Sequence, residues 1–264
     1  CMRNIKEQVS KLTRVCDITE YLTSLYPPEL AEDFDNVGLL AGDSIHSVKK
    51  VYVTLDADAG QIAEAIRLNA DMIVTHHPLL FSPLKRVTDE NIISLIKNNI
   101  SVFSAHTNLD SAPGGVNDSL AKLVGLTDTQ RVTMPGCKLT GVVGKVKETN
   151  LKDCIDNVKT ALGTDNVRYT GDLNDAVSTV GVIGGSAAEF FDTMKDCGCD
   201  TFLTADLKYH QAQSACAAGI NIIDAGHFET ENRICSVLGE VLKKRFPDIE
   251  VFVSERKTSY IKYG

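Results

Sequence analysis

The chain reads as an α/β protein of two similar α/β lobes, each built on a largely parallel sheet. Three observations point there. Short β-branched runs alternate with helix-period segments, the pattern of βαβ units whose strands are covered on both faces. One such unit recurs further along the chain at a fixed offset. The 264 residues, with 43% hydrophobic side chains, suffice for a sizeable core without low-complexity or disordered segments.

Taken in order, the strands are expected at 50–55, 72–75, 102–105, 141–146, 180–183, 201–204, 220–224 and 250–254. Each is a run of Val, Ile, Thr or aromatic residues bounded by turn formers. Helices are expected at 18–25, 58–68, 90–98, 118–124, 151–162, 187–196, 208–217 and 230–245, where apolar residues recur at three- and four-residue spacing. The Pro- and Gly-containing stretch 131–136 interrupts the pattern and is taken as the break between a first lobe, 14–130, and a second, 131–264. Residues 1–13 form an N-terminal extension.

The repeat is VYVTLDADAGQIAEAIRLNADMIVTHH (51–77) set over VGVIGGSAAEFFDTMKDCGCDTFLTAD (180–206), ungapped at an offset of 129. Asp71 falls opposite Asp200 and Thr75 opposite Thr204. After each copy comes a helix and another β-branched strand. One strand is followed by His106 and Asp110, the other by His227 and Glu231. Low identity leaves two generic βαβ units as an alternative, but the matched His-x-x-x-carboxylate pairs favour duplication. Duplicated units place their strand ends about a shared cleft, where ligands bind in open α/β sheets.

A net charge of −8, from 27 Lys+Arg and 35 Asp+Glu, argues against binding nucleic acid by phosphate neutralisation. No apolar run reaches the ~20 residues of a membrane span, and the charged start CMRNIKEQVSKLTR lacks the apolar core of a secretory signal. The eight cysteines are scattered, with no C-x-x-C pair, so they read as reduced thiols of a cytoplasmic protein.

Chemistry concentrates at strand ends. DMIVTHHPLLF (71–81) delivers His76 and His77, whose side chains leave an extended backbone on opposite sides. SVFSAHTNLD (101–110) delivers His106 and Asp110, and IIDAGHFETE (222–231) delivers His227 and Glu231. A histidine pair alone is most simply one buried and one exposed ring. Three strand ends carrying histidine, two of them with a carboxylate four residues on, form a ligand set for zinc, manganese or iron(II). Asp56 either caps a turn or lines the cleft. His210 is either a substrate or supporting group or a helix-surface residue. SAPGGVND (111–118) reads as a plain turn with Asn117 as helix cap, and His46 as a surface loop residue.

Together, PPELAEDFDNVGLLAGD (27–43), THHPLLF, AHTNLD followed by GGVN, and GHFETE resemble the family of GTP cyclohydrolase I type 2 homologues, the Nif-three-like dinuclear-metal proteins. The resemblance runs from about Val15 to the C-terminus. It implies two α/β lobes with a pair of divalent ions in the cleft between them, held by His76, His77, Asp110, His227 and Glu231, and a toroidal homohexamer. No guanine or triphosphate pocket is identifiable.

The expected function is that of a dinuclear metal-dependent hydrolase acting on a small polar or heterocyclic substrate through metal-bound hydroxide. The alternative is a non-enzymatic metal-binding scaffold or regulatory protein. No Ser or Cys lies in a nucleophile elbow. Proton transfer falls to His106 first and His210 second, with His106 as a ligand, or as a group orienting Asp110, the competing roles.

Overall fold

A computed structural model describes residues 12–256 and 259–262; most of the expected N-terminal extension, residues 1–11, lies outside them. The first part of the chain runs α1 (Val15–Leu25), β1 (Gly38–Ala41), β2 (Lys50–Thr54), α2 (Ala59–Arg67), β3 (Met72–Thr75), α3 (Glu90–Lys97), β4 (Ser101–Ser104), α4 (Thr107–Ser111) and α5 (Val116–Leu123). The second runs β5 (Thr127–Thr133), β6 (Thr140–Asn150), α6 (Leu151–Leu162), β7 (Arg168–Tyr169), β8 (Ala176–Ser186), α7 (Phe191–Asp196), β9 (Thr201–Ala205), α8 (Tyr209–Ala218), β10 (Asn221–Asp224), α9 (His227–Glu231), α10 (Arg233–Arg245) and β11 (Glu250–Val253).

Two sheets result, in the orders β1-β4-β3-β2-β11 and β5-β6-β8-β9-β10-β7. Each has a parallel run, β4-β3-β2-β11 in one, with antiparallel β1 at one edge, and β8-β9-β10 in the other, with antiparallel strands on both sides. Strands β3, β4, β9 and β10 are buried along their whole length, which explains their apolar centres. Along β3, Met72 and Val74 pack with α1 and α10, while Ile73 packs under α2 and α3. In β9, Leu203 joins the layer with α5 and α6, and Phe202 the layer with α7 and α8. This is the two-residue alternation of a strand applied to a doubly covered sheet.

Helix starts follow from local chemistry. Asp58 accepts from the N–H groups of Gly60 and Gln61, and Asp89 from those of Asn91 and Ile92, satisfying amides that a helix leaves unpaired. Helix α6 opens on Asn150 and closes at Gly163 in the left-handed region, φ 67°, a C-terminal stop that glycine adopts without strain.

The repeat is visible in the backbone. Asp71 Oδ2 accepts from the N–H groups of Lys49 and Lys50 at 2.7 and 2.9 Å. Asp200 Oδ2 accepts from those of Ser178 and Thr179 at 2.7 and 3.0 Å. Every partner is displaced by the offset read from the sequence, so each aspartate ties its own strand to the one beside it in the same way.

The lobes are not the sequential halves expected. The stretch 131–136 is the end of β5 and its turn into β6, with Arg131 opposite Val142 and Met134 N–H donating to Leu139 O. Its Pro and Gly form a hairpin rather than a linker. Helix α10 packs on the first core, and β11 pairs with β2, so the chain returns to the first lobe after building the second. The expected helix 230–245 is divided after Glu231, and strands β1, β5 and β7 add to those read from sequence. Among the described residues, no helix is long and apolar enough to cross a membrane.

Candidate metal centre

Strand register assembles the cluster. Strands β3 and β4 are parallel neighbours with Thr75 opposite Ser104, so the residues just past their ends, His76 and His106, arrive side by side with ring centroids 5.2 Å apart. His77 lies 5.6 Å from His106 and 5.4 Å from His227. Asp110 is on α4, the turn of helix begun by His106, and α9 brings His227 and Glu231 from the other lobe. The i, i+4 spacing sets each carboxylate back over its own histidine's face of the helix.

Each imidazole is anchored through Nδ1. His76 Nδ1 donates to Ala105 O at 3.0 Å, His77 to Asp56 at 2.7 Å, His106 to Asp35 at 2.9 Å and His227 to Asp206 at 2.8 Å. Donation from Nδ1 fixes the tautomer and leaves Nε2 for the cluster, the support that metal-ligating histidines carry. Glu231 Oε2 stands 3.0 Å from His77 Nε2, 3.1 Å from His227 Nε2 and 3.7 Å from His76 Nε2. Asp110 Oδ1 is 3.6 Å from His76 Nε2.

Among the described residues, three sets have potential ligand atoms that lie within 4.8 Å of one another: His76, His77 and His106; His77, His227 and Glu231; His76, Asp110 and Glu231. The fit to a cation is carried by two atoms. His76 Nε2 and Asp110 Oδ1 are buried with no hydrogen-bond partner, an arrangement that costs about 1–3 kcal/mol per group when nothing fills it. Both are electron-pair donors aimed into one space, as a divalent ion requires.

The electrostatics agree. Burial opposes charge on His77 and His227, yet hydrogen bonds donated to Asp56 and Glu231, and to Glu231 and Asp206, raise the rings to about 10 and about 9. Burial also works against ionised Glu231, but His227, His76 and His77 hold its carboxyl well below the usual range. Asp110 is pushed upward, mainly by burial and further by Glu231. Without a cation the histidines take up the protons that a metal would displace.

Glycine makes room for Glu231. A Cβ on Gly185, at φ +66°, would lie 2.2 Å from Glu231 Oε1. The backbone here is held by the side chain of Asn117, which accepts from Gly184 N–H and donates to the carbonyls of Asp110 and Thr140. Asn117 was expected to cap its helix; the cap position is Gly115, and the amide instead ties the two lobes together beside the cluster.

His76, His77, Asp110, His227 and Glu231 are brought together in this cluster. His106 joins them as a ring among potential ligands rather than standing apart as a proton carrier. His210 is exposed on the first turn of α8 and belongs to none of the three sets. The chain runs through Asp206, Leu207 and Lys208 before α8 begins, which carries His210 away, and Asp206 occupies the position matching His77. Asp35 and Asp206 were not anticipated. Asp56 and Asp206 each sit 21 residues before the histidine they anchor, although the repeat sets Asp56 opposite Gly185 and His77 opposite Asp206, so the offset gives no sign of the second anchor.

A two-lobed α/β protein with a histidine and carboxylate cluster at the strand ends of both lobes defines the class as a candidate metalloprotein. Residues 13–259 match the family model Duf34/NIF3 (NGG1p interacting factor 3), and the chain belongs to that family. A Clostridium perfringens protein named GTP cyclohydrolase 1 type 2 homolog is 36% identical over 249 residues, covering 90% of this chain and 95% of that one. A protein of the same name from Clostridium acetobutylicum is 38% identical, covering 83% and 85%. Among solved structures, a hypothetical protein of Staphylococcus aureus superposes with a TM-score of 0.89 at 27% identity, covering 96% of this chain and all of that one. A Bacillus cereus protein related to NIF3 gives the same TM-score at 23% identity, covering 97% and 100%.

Proposed function

We propose that the protein is a hydrolase dependent on two divalent ions, held by His76, His77, His106, Asp110, His227 and Glu231. The observation that carries this reading is the pair of orphaned buried atoms, His76 Nε2 and Asp110 Oδ1, inside a ring of imidazoles anchored through Nδ1. Zinc, manganese and iron(II) all suit this mixed nitrogen and oxygen set.

When bound, such ions supply a Lewis acid for a substrate oxygen and lower the pKa of water toward ~7. The chain's own part is to hold and orient. Asp35, Asp56 and Asp206 keep His106, His77 and His227 in the tautomer that offers Nε2. Glu231, held low in pKa and in reach of three rings, stays ionised and would be available to hold either ion. Cys235, near the cluster, is pushed up to about 12 by burial, so its thiol stays protonated at neutral pH and is a poor nucleophile. The proton carrier earlier assigned to His106 and His210 has no counterpart in this proposal.

The substrate class proposed is small, polar or heterocyclic. The assembly is a toroidal homohexamer, as the family resemblance implies, and the location is the cytoplasm, in keeping with free thiols at all seven described cysteines. The test loads chelated protein with zinc, manganese or iron(II) and screens nucleotides, pterins and cyclic amides. Metal-dependent turnover lost in Glu231→Gln supports the hydrolase. Tight metal binding with no turnover of any class supports the scaffold instead. Light scattering that gives a monomer contradicts the hexamer.

A further inference from the structure

A loop outside the cluster touches both lobes. Glu32 belongs to the motif at 27–43, precedes β1, and lies outside every potential ligand set. Its Oε1 accepts from the N–H groups of Lys138 and Leu139, at 2.7 and 2.9 Å, in the turn between β5 and β6 of the second lobe. Its own N–H donates to Thr107 Oγ1 at 2.9 Å. Thr107 in turn donates to Asp35 Oδ2 through both N–H and Oγ1. Asp35 Oδ1 anchors His106, and these hydrogen bonds hold the Asp35 carboxyl far below the usual range in spite of burial. Lys138 reinforces the junction by reaching the carbonyl of Ala31 and the carboxylate of Asp33.

We propose that Glu32 is a positioning residue: its carboxylate latches the β5–β6 turn to the 31–35 loop and thereby sets Asp35, and through it the ring of His106, for a metal ion. The inference rests on the proposed metal centre. Its physical basis is acceptor geometry rather than charge. One oxygen must reach two adjacent backbone N–H groups of the other lobe while the main chain of the same residue holds Thr107. A glutamine keeps that acceptor, an aspartate is one methylene short, and an alanine has none. Outer partners of metal-ligating histidines typically contribute 10–100-fold to affinity. An anchor one step further out should contribute about the lower figure.

The test is a cobalt(II) titration of the full chain, followed by visible absorption, on wild type, Glu32→Ala, Glu32→Asp, Glu32→Gln, His106→Ala and Glu32→Ala/His106→Ala. The expected result is an affinity about 10-fold weaker in Glu32→Ala and Glu32→Asp and near wild type in Glu32→Gln. The double variant should bind no more weakly than His106→Ala, because residues acting through one another are non-additive. If Glu32→Ala does not fold, the Asp and Gln variants give the same contrast. Wild type that takes up no cobalt overturns the metal centre and this inference with it. Wild type that binds, with Glu32→Asp unchanged, with Glu32→Gln as weak as Glu32→Asp, or with additive losses in the double variant, leaves the metal centre standing and overturns the role of Glu32.

Discussion

The two lobes share a skeleton and differ at their strand ends. Asp71 and Asp200 make the same pair of backbone contacts at the same offset, and His106 with Asp110 matches His227 with Glu231. Where the first lobe has His76 and His77, the second has Ala205 and Asp206; where the first has Asp56, the second has Gly185. Positions that hold strands together have kept their chemistry, while those that face the cleft have divided the work. The second lobe lacks the histidine pair, but the space over Gly185 admits the longer Glu231, which reaches the rings of both lobes. Asp206, in the place of His77, anchors His227.

The largest effect should separate the two carboxylates. Glu231 belongs to two of the potential ligand sets and Asp110 to one. Glu231→Gln is expected to lose both ions, and Asp110→Asn only one, by elemental analysis after reconstitution. Equal losses would mean that the lobes contribute symmetrically. Next come the positions exchanged between lobes. Gly185→Ala puts a methyl group where Glu231 Oε1 lies, and Asp56→Ala removes the anchor of His77. Each should weaken metal binding about 10–100-fold, read by competition with a chelating dye, with little change in the far-ultraviolet spectrum.

The shared skeleton predicts equality instead. Asp71→Ala and Asp200→Ala each strip an acceptor from two backbone N–H groups, so each should cost about 2 kcal/mol in denaturant unfolding. A large cost in one alone would argue against equivalent units.

How much of this was legible follows from the same contrast. The strands at the sheet centres announce themselves, because burial on both faces leaves only apolar residues and threonine, with no charge, in MIVT (72–75) or TFLTA (201–205). Strand β5, TDTQRVT, is nearly all exposed, and β7 has two residues; neither carries a hydrophobic signal. The return of α10 and β11 to the first lobe is a matter of tertiary packing that no local pattern records. Histidines at strand ends stand out because apolar runs lead into them. Their anchors do not: Asp35 and His106 are 71 residues apart and meet only because β1 and β4 pair. His210 misled because it follows the strand that matches β3, although Lys208 sets the start of its helix and leaves it exposed.

The smallest expected effect concerns alkaline pH, where both lobes should respond. Burial pushes Cys154 and Cys199 of the second lobe up to about 11 and about 12, and Cys235 in the first core up to about 12. A folded pKa raised above the unfolded value means that the native state keeps the proton longer. The stability from these thiols is therefore whole below the ordinary value of 9.0 and is lost as pH climbs toward 11–12. His77 and His227, raised to about 10 and about 9, also lose stability as pH rises through this range, so the thiol effect is read by difference: above about pH 9 urea midpoints should fall less in Cys235→Ala than in wild type, each relative to its own value at pH 7.

The central claim is that two lobes together hold two ions. Its most direct measurement is the metal content of the full chain, stripped with chelator, reconstituted with zinc and freed of excess ion, counted by elemental analysis against protein concentration. The account predicts about two ions per chain, the number that a bridged hydrolytic site takes. One ion or fewer, in protein whose circular dichroism matches that of the untreated chain, would contradict it.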